Sequence, residues 1–292
     1  MFTLAHLSDP HLGPLPAIRL RQMLNKRLTG VLNWHRSRGE SHSMAALERL
    51  CLHLKNQKPT HIAVTGDITN LGMEAEFAHA GQWLHALGSH DQVSFVPGNH
   101  DAYLGESLPA LNHALAPFMT NDNGQFEGFP YVRLRGAVAL IGLSSAIPTA
   151  PLMAGGALGV EQRIRLRKVL AFLKQQNLAR VLLIHHPPHH KGASLTRRLR
   201  DARALTDILA ETGVDLVLHG HNHTHEIAHL KGPDGPIPVW GAPSASASGR
   251  KGHHAGYHLF HFDMTEKGIA ISAQVFLCDA QGVIADSGLL PL

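Results

Sequence analysis

Five short polar motifs in the sequence contain the residue types that bind divalent metal ions. Aspartate, asparagine and histidine supply carboxylate, amide and imidazole ligands, and none of the motifs contains cysteine. Such a set suits Mn²⁺, Fe or Zn²⁺ and disfavours a site that demands soft sulfur ligands. In chain order the motifs are Asp9-Pro10-His11, Gly66-Asp67, Gly98-Asn99-His100-Asp101, His185-His186-Pro187-Pro188 and Gly220-His221-Asn222-His223.

Each motif directly follows a short apolar run that predicts a β-strand. In open α/β sheets, ligands bind at the loops beyond the carboxyl ends of the strands, so we expect the five motifs to converge on one rim. A shared carboxylate there could bridge two cations about 3.5–4 Å apart. Glycines before Asp67, Asn99 and His221 allow sharp turns that direct these side chains into the rim. The five predicted strands are Phe2–Leu7, His61–Thr65, Val93–Val96, Val181–Ile184 and Val214–Leu218.

Helical periodicity alternates with these strands, which indicates an α/β fold. Beyond Thr224 the pattern becomes that of antiparallel strands, and neither an internal repeat nor an interdomain linker is apparent. A single domain over residues 1–292 is therefore predicted. The predicted helices are Met44–Lys55 with Ser43 as its N-cap, Met73–Leu87, Val160–Gln175 and Ala202–Glu211. The remaining predicted strands are Val138–Leu143, Glu226–Leu230, Ile237–Trp240, Tyr257–Asp263 and Ala270–Phe276.

The ordered series D-x-H, G-D, G-N-H-D, H and G-H-x-H resembles the calcineurin-like metallophosphoesterases. It extends from Asp9 to His223, and no motif position is missing. Within that family the chain looks most like the bacterial class III cyclic-nucleotide phosphodiesterases and the glycerophosphodiesterases. The resemblance implies a four-layer αββα sandwich, in which two mixed β-sheets are flanked by helices and the metal site lies at the strand C-terminal ends.

The resemblance also assigns a role to each metal ligand. One ion would be held by Asp9, His11 and His223. The second ion would be held by Asn99, His185 and His221, with Asp67 bridging both ions. In the histidine pair, His185 directly ends its strand and matches the family ligand, so His186 is expected to be a neighbour of the site.

Two further positions match catalytic residues of the family. His100 matches the histidine that interacts with the phosphate and protonates the leaving oxygen, and Asp101 would orient His100. The implied function is dinuclear metal-dependent hydrolysis of a phosphoester, with an anionic phosphodiester or nucleotide-type small molecule as substrate. The two cofactor ions would activate a bridging hydroxide for in-line attack on phosphorus.

Two alternatives to a phosphodiesterase stay open. One is a pyrophosphate hydrolase acting on a lipid-linked nucleotide, similar to the UDP-diacylglucosamine hydrolases, and a basic amphipathic insert favours it. The other is a non-catalytic scaffold with the same fold. Such a scaffold should have replaced its ligands, whereas all seven predicted ligands and His100 are present here.

The composition is that of an ordinary soluble enzyme. The 292 residues, 44% hydrophobic and 16% charged, can bury one large core. Cys51 and Cys278 do not make a disulfide framework, and the N-terminus lacks the basic and apolar regions of a signal peptide. No stretch approaches ~18 consecutive apolar residues. We therefore expect a cytoplasmic location, whereas the oligomeric state stays open.

The net charge of +4 is concentrated in one helical insert at about residues 14–42. Ala17–Arg38 carries apolar residues at helical spacing, and Gly30 is expected to weaken or break the helix. Three interpretations stay open: a core-packed helix with a solvated basic face, a cap over the metals that attracts anionic substrate, and a membrane-surface helix. Between Pro10 and Gly39 there is no acidic residue, and the bases are Arg19, Arg21, Lys26, Arg27, Arg36 and Arg38.

A second basic stretch, from Lys191 to Arg203, begins just after the histidine pair. Phosphate recognition and plain solubility explain it equally well. Because no aromatic residues alternate with these bases, stacking of single-stranded nucleic acid is poorly supported.

Overall fold

Two mixed β-sheets flanked by helices form the fold. The computed structural model describes residues 2–123, 127–189, 194–266, 268–279 and 281–292. The strands are β1 (Phe2–Leu7), β2 (His61–Val64), β3 (Val93–Phe95), β4 (Tyr131–Arg135), β5 (Val138–Gly142), β6 (Ala179–Leu183), β7 (Leu216–His219), β8 (Glu226–Lys231), β9 (Pro236–Gly241), β10 (Ala255–Thr265), β11 (Gly268–Cys278), β12 (Ile284–Asp286) and β13 (Leu290–Pro291). The helices are α1 (Arg27–Asn33), α2 (Gly39–Ser41), α3 (Met44–Asn56), α4 (Glu74–Leu87), α5 (Ser107–Leu115), α6 (Val160–Lys174) and α7 (Ala202–Thr212).

Both sheets contain a run of neighbouring parallel strands. The first sheet has the order β12-β11-β10-β1-β2-β3, with β13 beside β11, and its strands β1, β2 and β3 are parallel. The second has the order β4-β5-β6-β7-β9-β8, in which β5, β6, β7 and β9 are parallel. The carboxyl ends of neighbouring parallel strands therefore meet at one edge of each sheet.

Two apolar cores separate the layers. Along β5 and β6, Val138, Leu140 and Leu183 belong to the core shared with the first sheet. Their neighbours Ile141 and Leu182 belong to a second core with helices α6 and α7. This alternation is expected for strands buried on both faces. The predicted sandwich of two mixed sheets flanked by helices is confirmed.

The predicted elements are present, with ends shifted by a few residues. The capping role of Ser43 is confirmed, because its side chain accepts a hydrogen bond from the Ala46 backbone N–H at 3.2 Å. Strand β4 and helix α5 were not predicted. The last quarter is not wholly antiparallel, because β9 pairs with β7 in parallel as well as with β8.

The basic insert consists of short helical pieces. A 3₁₀ turn at Leu20–Met23 precedes α1, and a π-helical turn at Trp34–Arg38 follows it. Gly30 was expected to weaken or break the helix, and it does not break it, because it lies within α1. A Cβ on Gly30 would fall 2.4 Å from Leu71 Cδ2 and 2.5 Å from the Tyr103 hydroxyl, so this glycine permits close packing. Among the described helices, none has the length and apolar character needed to cross a membrane.

Three buried histidines in the first sheet predict acid sensitivity. Burial lowers the pKa of His6 to about 3 and holds the pKa values of His61 and His258 well below their usual value. The unfolded chain, with histidine pKa values near 6.5, therefore binds more protons than the folded chain at acidic pH, and stability falls as the pH falls. Each buried histidine contributes about 1.4 kcal/mol per pH unit between pH 6.5 and its folded pKa.

We expect the urea midpoint to fall steeply between pH 6.5 and 4.5 and to change little above pH 7.5. His61 forms a hydrogen bond with the Ser94 hydroxyl at 2.8 Å. Because His61→Gln removes one buried titrating group, it should lower the pH dependence of the unfolding free energy by the contribution of about one proton. His229→Gln, at an exposed position on β8, is the matched control. A midpoint that is constant from pH 7 to pH 5 would contradict this prediction.

Candidate metal centre

All five motifs lie at the carboxyl ends of parallel strands, as predicted. The loops after β1, β2 and β3 come from the first sheet, and those after β6 and β7 come from the second. Their metal-ligand side chains are buried, except that the His223 side chain is 27% exposed. The two sheets therefore present carboxylate, amide and imidazole groups to each other across the top of the sandwich.

The Asp67 carboxylate lies between two groups of ligand atoms. Its Oδ2 is 3.8 Å from His11 Nε2 on one side and 3.4 Å from His185 Nε2 on the other. Ligand atoms around one cation with bonds of ~2.0–2.2 Å lie roughly 3–3.5 Å apart. The Asp67 carboxylate thus lies near both groups, which is the position that the family resemblance implies for a bridging ligand.

The first group consists of Asp9, His11 and His223. His223 Nε2 lies 3.1 Å from Asp9 Oδ1 and 3.3 Å from His11 Nε2. His11 Nε2 is 4.0 Å from the same Asp9 oxygen. Together with Asp67, these side chains form a group whose ligand atoms all lie within 4.8 Å of one another, close enough to hold a cation.

The second group consists of Asn99, His185 and His221. His185 Nε2 lies 3.3 Å from Asn99 Oδ1, and the His185 and His221 rings have centroids 5.2 Å apart. His221 Nε2 is buried and has no hydrogen-bond partner among the described residues. A buried nitrogen without a partner is costly unless something satisfies it. The donor set and this unsatisfied atom both fit a divalent cation.

His186 contributes differently from its neighbour. Its Nδ1 lies 2.8 Å from the Ser145 hydroxyl, and its Nε2 lies 3.0 Å from the Ala154 carbonyl. Both ring nitrogens therefore have polar partners outside the centre, although the ring lies against His221 with centroids 4.4 Å apart. His186 also lies within 4.8 Å of ligand atoms of His185 and His221, so its assignment as a neighbour of the site stays a prediction.

Backbone carbonyls orient the ligand histidines. His11 Nδ1 lies 3.2 Å from the Thr69 carbonyl, and His185 Nδ1 lies 2.7 Å from the Thr65 carbonyl. A carbonyl only accepts hydrogen bonds, so Nδ1 carries the proton and Nε2 presents its lone pair to the centre. Both tautomers are those that a metal ion requires.

Five of the predicted ligands have strained backbone. Among the described non-glycine residues, eight have positive φ, and five of these are Asp9, His11, Asp67, His221 and His223. Each such residue costs on the order of 1–3 kcal/mol, and strain of this kind concentrates at functional sites. The strain aims the side chains into the rim.

The glycines in the motifs act in two ways. Gly66 has φ of +93°, so it supplies the expected turn before Asp67. At Gly98 and Gly220 the requirement is close approach instead. A Cβ on Gly98 would lie 2.3 Å from Asp67 Oδ1, and one on Gly220 would lie 2.4 Å from Asp9 Oδ2.

The charges of the centre stabilise one another. Burial alone would raise the pKa of Asp67, but the surrounding histidines, His185 first among them, hold it well below its usual value. Burial likewise opposes protonation of His185, yet the Asp67 carboxylate raises the pKa of His185 to about 9. A proton and a cation therefore compete for His185 Nε2.

His100 lies at the edge of the centre, and its orienting contact differs from the one expected. Its Nδ1 lies 2.6 Å from the Asn70 carbonyl, and its backbone N–H donates to Asp67 Oδ1 at 2.7 Å. The Asp101 carboxylate instead accepts hydrogen bonds from Gly98 and Thr69. Asn70 thus orients His100, whereas Asp101 braces the loop that carries it.

Sequence motifs did not identify His42, at the end of the basic insert. Its ring lies against the His11 ring in a tilted arrangement, with centroids 4.6 Å apart, and its Nδ1 lies 2.7 Å from the Ser246 hydroxyl. The small-residue run at 243–249 reaches the centre as well, because the Ser244 hydroxyl donates to the Asp9 carbonyl at 2.7 Å. Neither stretch has a motif that indicates this placement.

A cavity of about 680 Å³ opens above the centre. The basic insert forms one wall, in which Lys26 donates to the Thr149 hydroxyl at 2.8 Å and lies over the Tyr103 ring. Of the three interpretations of this insert, its position beside the cavity agrees with that of a cap over the centre. The lining includes Lys26, Leu32, Arg36, Asp67, Asn99, His100, Leu152, Met153, Arg197, His221 and His223.

Arg27 has a structural role within the cap. It is buried, donates to the Leu71 and Gly72 carbonyls at 3.2 and 3.1 Å, and pairs with Glu106 at 2.6 Å. In the second basic stretch, Arg197 lines the cavity and donates to the His221 carbonyl at 3.1 Å. Lys191 lies outside the described residues, and Arg200 and Arg203 are exposed.

The structure thus combines a double-sheet sandwich with a buried Asp–Asn–His centre at its strand ends. A family model of the calcineurin-like phosphoesterases matches residues 2–225. The chain belongs to this family. No curated protein matches the sequence.

Solved structures show the same fold at low sequence identity. A dimetal phosphatase from Danio rerio is 14% identical with a TM-score of 0.60, covering 94% of this chain and 95% of that one. The purple acid phosphatase PPD1 from yellow lupin (Lupinus luteus) seeds is 13% identical with a TM-score of 0.57, covering 98% and 52%. GAP50, the anchor in the inner membrane complex of Plasmodium, is 14% identical with a TM-score of 0.53, covering 100% and 88%.

Proposed function

We propose that this protein is a phosphodiesterase that uses two divalent metal ions. The observation that carries the proposal is the position of Asp67 between two groups of ligand atoms. The similarity in fold to a dimetal phosphatase supports two ions in place of one. When bound, the ions would supply a water nucleophile of lowered pKa and neutralise phosphoryl oxygens. Asp9, His11 and His223 would hold one ion, and Asn99, His185 and His221 would hold the other.

His100 is placed to act on the leaving group. The Asn70 carbonyl lies 2.6 Å from Nδ1 and orients the ring, and Nε2 is the nitrogen that we assign to the substrate side. His100 lines the cavity together with Asn99 and Asp67. A proton held at this nitrogen could pass to the departing oxygen, which is the role the family resemblance gives to this position.

The cavity favours a small anionic diester. Its volume lies within the ~300–1,000 Å³ typical of small-molecule sites. Lys26 and Arg36 of the basic insert and Arg197 of the second basic stretch all line the cavity and give it positive charge. Such charge attracts a phosphodiester anion. The two ester substituents of the diester would then contact the walls of the cavity.

The proposal is tested with the Mn²⁺-loaded protein on a substrate panel. The panel compares bis-p-nitrophenyl phosphate, cyclic AMP, glycerophosphodiesters, a phosphomonoester and a UDP-diacylglucosamine. We expect kcat/KM to be highest for a soluble diester. Preference for the monoester, or inactivity on every phosphoester, would contradict the proposal.

A second candidate is hydrolysis of a lipid-linked nucleotide pyrophosphate. It is favoured by exposed leucines on the cap, since Leu24, Leu28 and Leu32 are 87%, 46% and 52% exposed. Turnover of UDP-diacylglucosamine alone, together with salt-sensitive sedimentation on anionic vesicles, would replace the diesterase proposal by this one.

The cap charges should act on substrate binding more than on turnover. Replacing Lys26 and Arg36 with glutamine should raise KM for a charged diester several-fold and leave kcat nearly unchanged, because the charges attract the anion without contacting the reacting bond. Added salt should reduce the difference from wild type. Arg203→Gln, on the exposed face of α7, is the matched control. An unchanged KM would show that the insert is only a structural cover.

A further inference from the structure

A separate group of metal-ligand side chains lies beside the centre and uses none of its residues. His189 follows β6, His219 ends β7, and Glu226 begins β8. One ligand atom from each lies within 4.8 Å of the other two. The His189 and His219 rings are nearly perpendicular, with centroids 5.7 Å apart.

His219 presents a buried lone pair to this group. Its Nδ1 lies 2.9 Å from the Gly220 carbonyl, which only accepts, so the proton belongs on Nδ1. Nε2 then carries the lone pair, and it has no hydrogen-bond partner among the described residues although His219 is fully buried. The carboxylate oxygen Glu226 Oε1, which is also an acceptor, lies 3.5 Å from Nε2. A buried acceptor that faces a second acceptor is unfavourable unless a cation or a donor lies between them.

The surroundings hold both side chains in place. The Asn222 amide donates to Glu226 Oε1 at 2.7 Å, which fixes the carboxylate. Gly241 provides the space, because a Cβ there would fall 2.6 Å from His219 Cε1 and 2.7 Å from Glu226 Cγ. The Glu226 side chain is 28% exposed, so an ion can enter from solvent.

We propose that His189, His219 and Glu226 bind a third divalent cation of the Zn²⁺ or Co²⁺ type. Two imidazoles and one carboxylate are a common ligand set for these ions and leave a fourth position for water. The Nδ1–carbonyl contact of His219 is the usual outer support of a ligand histidine.

This ion would join three segments that carry proposed catalytic ligands. His189 lies four residues after His185, and His219 lies two residues before His221. Glu226 lies three residues after His223. Binding would therefore fix the loops after β6 and β7 against the start of β8.

The test is metal content after reloading the metal-free protein with Co²⁺ or Zn²⁺. His189→Ala and Glu226→Gln should each bind one equivalent less per chain than wild type, and His229→Ala on the same strand β8 should lose none. In a crystal of the Co²⁺ protein, anomalous scattering should place an ion about 2–2.2 Å from His219 Nε2.

The result is independent of the proposed catalytic pair. In an Asp67→Ala background, His189→Ala should still remove one equivalent. Equal metal content in His189→Ala, Glu226→Gln and His229→Ala, or no anomalous peak beside His219, would overturn the proposal. If one of the two ligand variants does not fold, the other variant and the anomalous map decide.

Discussion

Asp67→Ala is expected to lose two metal equivalents per chain and nearly all hydrolysis. The carboxylate lies 3.8 Å from His11 Nε2 and 3.4 Å from His185 Nε2, so its removal affects both proposed cation sites. Loss of a supporting residue around a metal typically costs ~10–100-fold in affinity or activity, and loss of a shared ligand should exceed about 100-fold. Elemental analysis of Mn²⁺-loaded protein and diester turnover measure the two effects.

Controls separate this loss from unfolding. Asp67→Asn keeps the shape of the side chain and removes its charge, so it should also lose metal while keeping the fold. Asp263→Ala, at an exposed position on β10, should keep both metal and activity. A folded Asp67→Asn protein with full metal content and turnover would refute the dinuclear assignment.

His100→Ala should keep metal but lower turnover by roughly 10²–10⁴-fold for substrates with poor leaving groups. The contact from His100 to Asp67 is made by the backbone N–H, so alanine leaves it intact. An activated nitrophenolate hardly needs a proton and should be affected much less. The measurement is kcat against leaving-group pKa for wild type and variant, with metal content determined on the same samples.

The pattern of loss distinguishes two roles for His100. A steeper dependence on leaving-group pKa in the variant is the expected result of losing a proton donor. An equal loss for all leaving groups would show that His100 positions the phosphate instead. The contact of His100 Nδ1 is with the Asn70 backbone carbonyl. A change of the Asn70 side chain would leave this carbonyl in place, so it cannot replace the His100→Ala experiment.

The sequence determined the fold class and the location of the site because both depend on local patterns. Alternating strands and helices specified parallel strands, and polar motifs after five strands specified the edge at which their side chains meet. The position of that edge follows from the geometry of a parallel sheet, because the carboxyl ends of neighbouring parallel strands lie together. Strand β4 was missed because it buries Arg133 and exposes Leu134, the reverse of the usual pattern. Helix α5 was missed because Pro109, in its first turn, is a helix-breaking signal in the sequence.

Only the tertiary structure decided which groups complete the site. His42 reaches His11 because the insert folds back over the first sheet, and Asn70 orients His100 through a backbone carbonyl that no side-chain motif reveals. Arg27 and Lys26 are adjacent bases, yet Arg27 is buried against Glu106 whereas Lys26 lines the cavity. Local sequence specifies the type and spacing of side chains, but the pairing of distant segments sets which of them share a solvent-excluded space.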